Sequence, residues 1–155
     1  MDFINIWQQE DHYDQVIHFW NQLRVLPEKV KPNDRAKELV IMARDGDRVI
    51  GVTTAARVKV NQLNDNFLFS FRILIHPEYR RPGLSSKLTV LTRDFLEQLY
   101  AEKKTDCIGM MVITDKTEYV KIRNEAVWRA SKLTYIGTLK DGRHMRIFYF
   151  KGARI

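Results

Sequence analysis

A single cysteine, Cys107, leaves this chain without the pair that an internal disulfide needs and excludes a cysteine-rich metal site. Cys107 opens the apolar run Cys107-Ile108-Gly109-Met110-Met111-Val112-Ile113. A buried, inert thiol is expected there rather than a nucleophile. Histidine is scarce too: His12, His18, His76 and His144 show no metal-ligand spacing, so no metal is expected. No apolar run approaches the ~20 residues of a membrane-spanning helix, so no membrane partner is expected. The segment Met1-Asp2-Phe3-Ile4-Asn5 has no basic flank followed by an apolar core. It does not read as a signal peptide, and a cytoplasmic location is the default expectation. Absent as well are a Gly-x-Ser-x-Gly elbow, a phosphate-binding Walker loop, a dinucleotide fingerprint, internal repeats and low-complexity linkers.

Acidic residues are sparse at one end. From Tyr119 to Ile155 nine basic residues face only Glu125 and Asp141, which accounts for the entire net charge of +7. Such a field favours anionic partners: a phosphorylated cofactor, an acidic protein or nucleic acid. A solvated basic face without a specific partner reads equally well.

What is present is the composition of one globular domain over residues 1–155, with 45% hydrophobic and 29% charged residues. Phe3 to Gln8 alternates as a strand does. Asp11 is placed to cap a helix bearing Tyr13, Val16, Ile17, Trp20 and Leu23 on one face. Pro27 and Pro32 bracket a connection, and a short helix is predicted over Asn33 to Glu38. Leu39 to Ala43 and Arg48 to Val60 read as strands around a hairpin at Asp45-Gly46. Phe67 to Ile75 is the most apolar stretch, a central strand that Pro77 ends. Leu84, Leu88, Leu91, Phe95 and Leu99 recur at helical steps and predict one buried stripe on a helix from Leu84 to Lys103. With Cys107 to Ile113 as the next strand, these elements form a βαβ unit with parallel strands. A second helix is predicted over Tyr119 to Leu133, then a hairpin of Tyr135 to Leu139 and His144 to Phe150 around Asp141-Gly142. Trp7, Trp20 and Trp128 read as core or interface residues.

The segment from Ile75 to Leu88 carries the chemistry. It stops a buried strand, makes a polar turn and opens an amphipathic helix. The first amides of a helix lack internal partners, and the macrodipole makes that end attractive to anions. Arg80 and Arg81 add donors for phosphate, Gly83 permits close backbone approach, and Ser85 and Ser86 supply hydroxyls.

Arg80-x-x-Gly83-x-Ser85, preceded by an apolar strand and His76-Pro77, resembles motif A of the GCN5-related N-acetyltransferase (GNAT) family, Gln/Arg-x-x-Gly-x-Gly/Ala. The order of predicted elements is similar to the family's along nearly the whole chain. The resemblance implies an α/β (α+β) fold: a mixed, mostly antiparallel sheet with a central parallel βαβ unit and flanking helices. It implies acetyl-CoA as co-substrate, an amine on a small molecule or protein as acceptor, and a homodimer as one assembly. Arg80, Arg81, Gly83, Leu84, Ser85 and Ser86 would wrap the pyrophosphate, and Leu74 and Ile75 would lie beside the acetyl thioester. Backbone amides of the Ile73–Ile75 strand end would stabilise the developing oxyanion. The stretch from Asn124 to Tyr135 is similar to the family's late helix, Asn-x-x-Ala-x-x-x-Tyr-x-x-x-Gly-Phe, and would set Asn124 against the pantetheine arm.

The departures are specific. Pro82 has no amide hydrogen to give to a phosphate. Ser85 stands where glycine or alanine is usual. Ser131 stands where many members have a tyrosine that protonates the leaving thiolate, and serine is a far weaker acid. Phe71 and Arg72 occupy the region that often supplies a carboxylate base, leaving Asp115 or a water chain for that task. Arg72 repels an ammonium and suits an acceptor carrying a phosphate or carboxylate. Two functions follow: an acetyl-CoA-dependent N-acetyltransferase, or an inactive module of the same fold that binds an acidic protein or nucleic acid through its basic C-terminal region.

Overall fold

A computed structural model describes residues 1–114 and 124–155. Its strands are β1 (Asp2–Asn5), β2 (Leu39–Asp45), β3 (Arg48–Val60), β4 (Asn66–Ile75), β5 (Gly109–Thr114), β6 (Thr134–Thr138) and β7 (His144–Tyr149). They form one sheet in the order β1-β2-β3-β4-β5-β7-β6. β4 and β5 pair in parallel, at Phe69↔Met110 and Ser70↔Met111. The pairs β1–β2, β2–β3, β5–β7 and β6–β7 are antiparallel. The α-helices among the described residues are α1 (Tyr13–Leu23), α2 (Pro32–Ala36) and α3 (Leu84–Ala101). This is the mixed, mostly antiparallel α/β sheet that the sequence predicts, with β4–α3–β5 as its parallel unit. The chain divides into two compact units, Met1–Ala55 with Arg72–Thr92, and Ala56–Phe71 with Arg93–Ile155.

The first unit has its own core of Ile6, Val16, Phe19, Trp20, Ala36, Leu39, Met42, Val49 and Val52. Each aliphatic side chain of valine size or larger among them contributes on the order of 1.5–3 kcal/mol when removed from water, before entropy is counted. A 3-10 turn, Glu10–His12, leads into α1, so Asp11 lies inside that turn instead of capping the helix, and the N-cap residue His12 makes no side-chain capping bond. Gly46, at φ +60°, closes the β2–β3 hairpin. Between the pairs Leu39↔Thr54 and Met42↔Val52, two residues of β2 oppose one of β3, a β-bulge. The Ile41 amide, displaced from the ladder, donates instead to Thr53 Oγ1 at 3.0 Å. Gly51 lies under the start of α3. A Cβ on it would stand 3.3 Å from Leu88 Cδ1 and 3.4 Å from the Leu74 carbonyl.

Helix α3 buries Leu84, Leu88, Thr89, Thr92, Leu96 and Leu99, while Leu91 and Phe95 of the predicted stripe are only half-buried. Thr92 enters the buried face because its hydroxyl donates to the Leu88 carbonyl at 2.9 Å.

The second unit packs Val60, Leu68, Ile108, Met111 and Ile147 together. β5 approaches β7 so closely at Gly109 that a Cβ there would lie 2.5 Å from the Phe148 carbonyl oxygen. The helix predicted over Tyr119 to Leu133 is not formed across 124–133, and residues 119–123 fall outside the described residues. Val127 instead makes an antiparallel bridge to Thr134, and the Tyr135 amide donates to the Ala126 carbonyl at 2.8 Å. The chain reverses through Arg129–Ser131 and Lys132, which has φ +63°. Extended pairing satisfies these backbone groups without a helix, and the Trp128 ring packs under the Arg146 guanidinium at 4.4 Å. The exposed basic field is also smaller than the sequence suggests. Arg146 is 1% exposed and Arg143 is paired with Asp141 at 2.8 Å.

Candidate functional site

Strand β4 ends at Ile75, which is buried, and Leu74 beside it is half-buried. The next residues make a short 3-10 turn, Pro77–Tyr79, because Pro77 cannot extend the ladder and its fixed φ suits a helical start. The turn is braced by the β2–β3 hairpin. The Tyr79 hydroxyl donates to Asp45 Oδ2 at 2.9 Å. Arg48 meets His76 Nε2 at 3.1 Å and the Glu78 carboxylate at 3.3 Å. The other ring nitrogen of His76 faces the Glu78 amide at 3.2 Å. A neutral imidazole has one acceptor nitrogen, so it accepts from only one of these two donors at a time. Arg48 and Arg81 both lie over the Tyr79 ring, at 5.5 and 5.6 Å. Nothing in the spacing of Asp45 or Arg48 marks them as partners of this loop.

The loop then opens α3. Gly83 has φ +89°, and a Cβ built on it meets no atom within 4 Å. The glycine therefore answers a backbone requirement and leaves open space above the helix start. The first ladder bond runs from the Lys87 amide to the Gly83 carbonyl at 2.9 Å. The amides of Ser85 and Ser86 precede it, where helices present free donors. Both serines are half-buried, Leu84 is buried, and Arg80 and Arg81 are exposed. Arg80 also turns back: its Nε donates to the Ile75 carbonyl at 3.3 Å. Leu74, Ile75, Arg80, Arg81, Gly83, Leu84, Ser85 and Ser86 thus lie together in the first unit.

Asn124 and Ser131 belong to the second unit. Asn124 is exposed and not helical. Ser131 is 4% exposed, and its hydroxyl accepts from the Leu133 amide at 3.3 Å. Its carbonyl accepts from Arg93 Nη1 at 2.7 Å. Arg93 also reaches the Ala130 carbonyl at 3.2 Å, so it clamps this turn. Sequence reasoning missed that arginine. Asp115 lies outside the described residues.

A second feature of the first unit is a pocket of about 180 Å³ walled by Trp20, Val52, Ile73 and Leu74, with Arg35 and Arg72 among its lining residues. Arg35 stands 3.4 Å from Glu38. Burial pushes the Arg35 guanidinium below its ordinary value, Arg72 pushes it further, and Glu38 opposes both. Among the described residues no group of His, Cys, Asp and Glu could hold a metal ion. No helix among them is long and apolar enough to cross a membrane.

No family model matches the sequence, and no curated protein matches it. Solved structures do resemble the fold. A GNAT-family acetyltransferase of Streptococcus pneumoniae superposes with a TM-score of 0.60 at 9% identity, over 96% of this chain and 99% of its own. The ribosomal-protein-S5-alanine acetyltransferase of Vibrio fischeri gives 0.63 at 10% identity, over 99% and 94%. NAA60 of Arabidopsis thaliana, solved with acetyl-CoA, gives 0.54 at 13% identity, over 97% and 99%. Strand order, the parallel β4–β5 pair and these superpositions agree: the chain has the fold of the GNAT acetyltransferases.

Proposed function

We propose that this chain is an N-acetyltransferase that moves an acetyl group from acetyl-CoA to an amine, with residues 1–155 working as one catalytic domain. The observation that carries the reading is the start of α3. There, two amides precede the first ladder bond and Gly83 leaves the approach clear. Those groups suit a diphosphate. Arg81 and the free face of Arg80 add positive charge, and the brace from Asp45 and Arg48 holds the loop ready. Acetyl-CoA bound to a neighbour of the same fold supports the same choice of co-substrate.

The acceptor amine attacks in its neutral form. Its nitrogen lone pair forms the new bond to the thioester carbonyl carbon and the carbon–sulfur bond breaks. The amine's proton passes to solvent, and the departing thiolate gains one to leave as coenzyme A. In this reading, amides near the end of β4, at Ile73–Ile75, oppose the charge that develops on the carbonyl oxygen. Holding donor and acceptor side by side accounts for much of the rate without a dedicated base. We assign no proton transfer to Ser131, which is buried in its turn and is a far weaker acid than tyrosine.

The test is release of coenzyme A thiol from acetyl-CoA with a panel of amines, beside thermal unfolding with and without acetyl-CoA. Amine-dependent thiol release is expected. No thermal shift at millimolar acetyl-CoA would contradict the reading.

A further inference from the structure

The pocket beside the end of β4 holds more positive charge than its own residues offset. Arg35, with a side chain 17% exposed, is partly compensated by Glu38. Among the described residues no hydrogen bond or ion pair engages Arg72, and no carboxylate lines the pocket. Apart from Thr54, the rest of the wall is apolar and includes the Trp20 indole.

We infer that this pocket receives an amine acceptor of amino-acid size bearing a free carboxylate, which Arg35 and Arg72 take, and a short apolar side chain against Trp20, Val52 and Leu74. This rests on the acyltransferase reading for its chemistry but not for its ligand. Guanidinium groups present planar, paired donors that match a carboxylate. An anion there relieves both the repulsion between the arginines and the cost of burying Arg35. The volume of about 180 Å³ is smaller than the roughly 300–1,000 Å³ of sites that take drug-sized ligands. Leu74 belongs both to this wall and to the strand end proposed to face the thioester. A carboxylate held by the arginines therefore leaves the amine of the same molecule free to reach the acyl carbon. It also offsets the field that would otherwise repel the amine as it binds.

Isothermal titration of the full chain with L-leucine, L-leucinamide and inorganic phosphate tests this without acetyl-CoA. Leucine is expected to bind. Replacing the carboxylate by an amide, or making Arg72→Gln, should each weaken binding about tenfold to a hundredfold. Arg35→Lys, which keeps charge but loses the paired donors, should weaken leucine binding as well. Equal affinity for leucinamide, no binding of leucine, phosphate bound in its place, or an unaltered Arg72→Gln variant would each overturn the inference. Acetyl-CoA binding is titrated on the same samples. If leucine binds and acetyl-CoA does not, the transferase reading fails and the carboxylate pocket stands. If acetyl-CoA binds and leucine does not, only the pocket's ligand is wrong.

Discussion

The hydroxyls of Thr53 and Thr92 meet 2.8 Å apart, both fully buried, one on β3 and the other on α3. Their protons have one consistent order. The one Thr92 proton goes to the Leu88 carbonyl, so Thr53 donates to Thr92 while it accepts from the Ile41 amide. Thr92→Val strands the Thr53 proton and should cost about 1–3 kcal/mol in urea unfolding. Thr53→Val strands the Ile41 amide and should cost a similar amount. The double variant should lose less than the two single losses combined, because the same links are removed twice. Strict additivity would mean that the two hydroxyls do not act as one chain.

Gly83 separates backbone strain from ligand access. Gly83→Ala meets no neighbour, so its cost is the positive φ alone, about 1 kcal/mol. Gly83→Glu adds bulk and negative charge where the diphosphate is proposed to sit. Wild type at ~100 times the dissociation constant of acetyl-CoA should gain about 2.7 kcal/mol of stability. Gly83→Glu should gain nothing while remaining folded. An intact thermal shift in Gly83→Glu would move the site elsewhere.

Tyr79→Phe removes only the hydroxyl that reaches Asp45. This exposed bond should matter little to unfolding but should matter to the loop it steadies. We expect acetyl-CoA affinity to fall by up to about fivefold, the equivalent of about 1 kcal/mol. Asp45→Asn should fall less, since the amide oxygen still accepts. Equal affinity in all three proteins would show that the brace does not serve binding.

The Cys107 thiol is fully buried, and burial pushes it from its ordinary 9.0 up to about 11; the Thr105 hydroxyl and Arg57 pull the other way, while Asp106 adds to the rise. The folded protein therefore holds this proton more tightly than the unfolded chain does. The thiol's contribution to stability is full below pH 9 and is lost as pH rises from there through about 11. Alkylation of the native protein at pH 8 should be far slower than alkylation in urea, read by mass spectrometry. Rapid native alkylation would contradict the burial.

Much of the fold was legible because its strands are long, apolar and punctuated. Asp45-Gly46 and Asp141-Gly142 mark the two hairpins, and Pro77 marks the end of β4. The loop between β4 and α3 was legible, since glycine, proline and arginine spacing are local signals. The buried face of α3 was read partly wrong because Thr92 looks polar until its hydroxyl finds Leu88 and Thr53. The helix predicted through Asn124 to Leu133 failed for a related reason. Val127 there bridges Thr134 at the start of the very next strand, and this short-range extended pairing outweighs a weak helical preference. Arg35 was invisible as a site residue because only the folded chain sets it beside Arg72 in one pocket.

Gly51 has a consequence for evolution at this site. A methyl group there would press within 3.3 Å of Leu88 and 3.4 Å of the Leu74 carbonyl. Either the Leu88 side chain gives by a few tenths of an ångström or the helix beginning at Leu84 rides that much higher over β3. A mutation that touches no ligand could thereby retune the reach of the Ser85 and Ser86 amides, so this missing side chain works as a shim whose thickness natural variation can adjust.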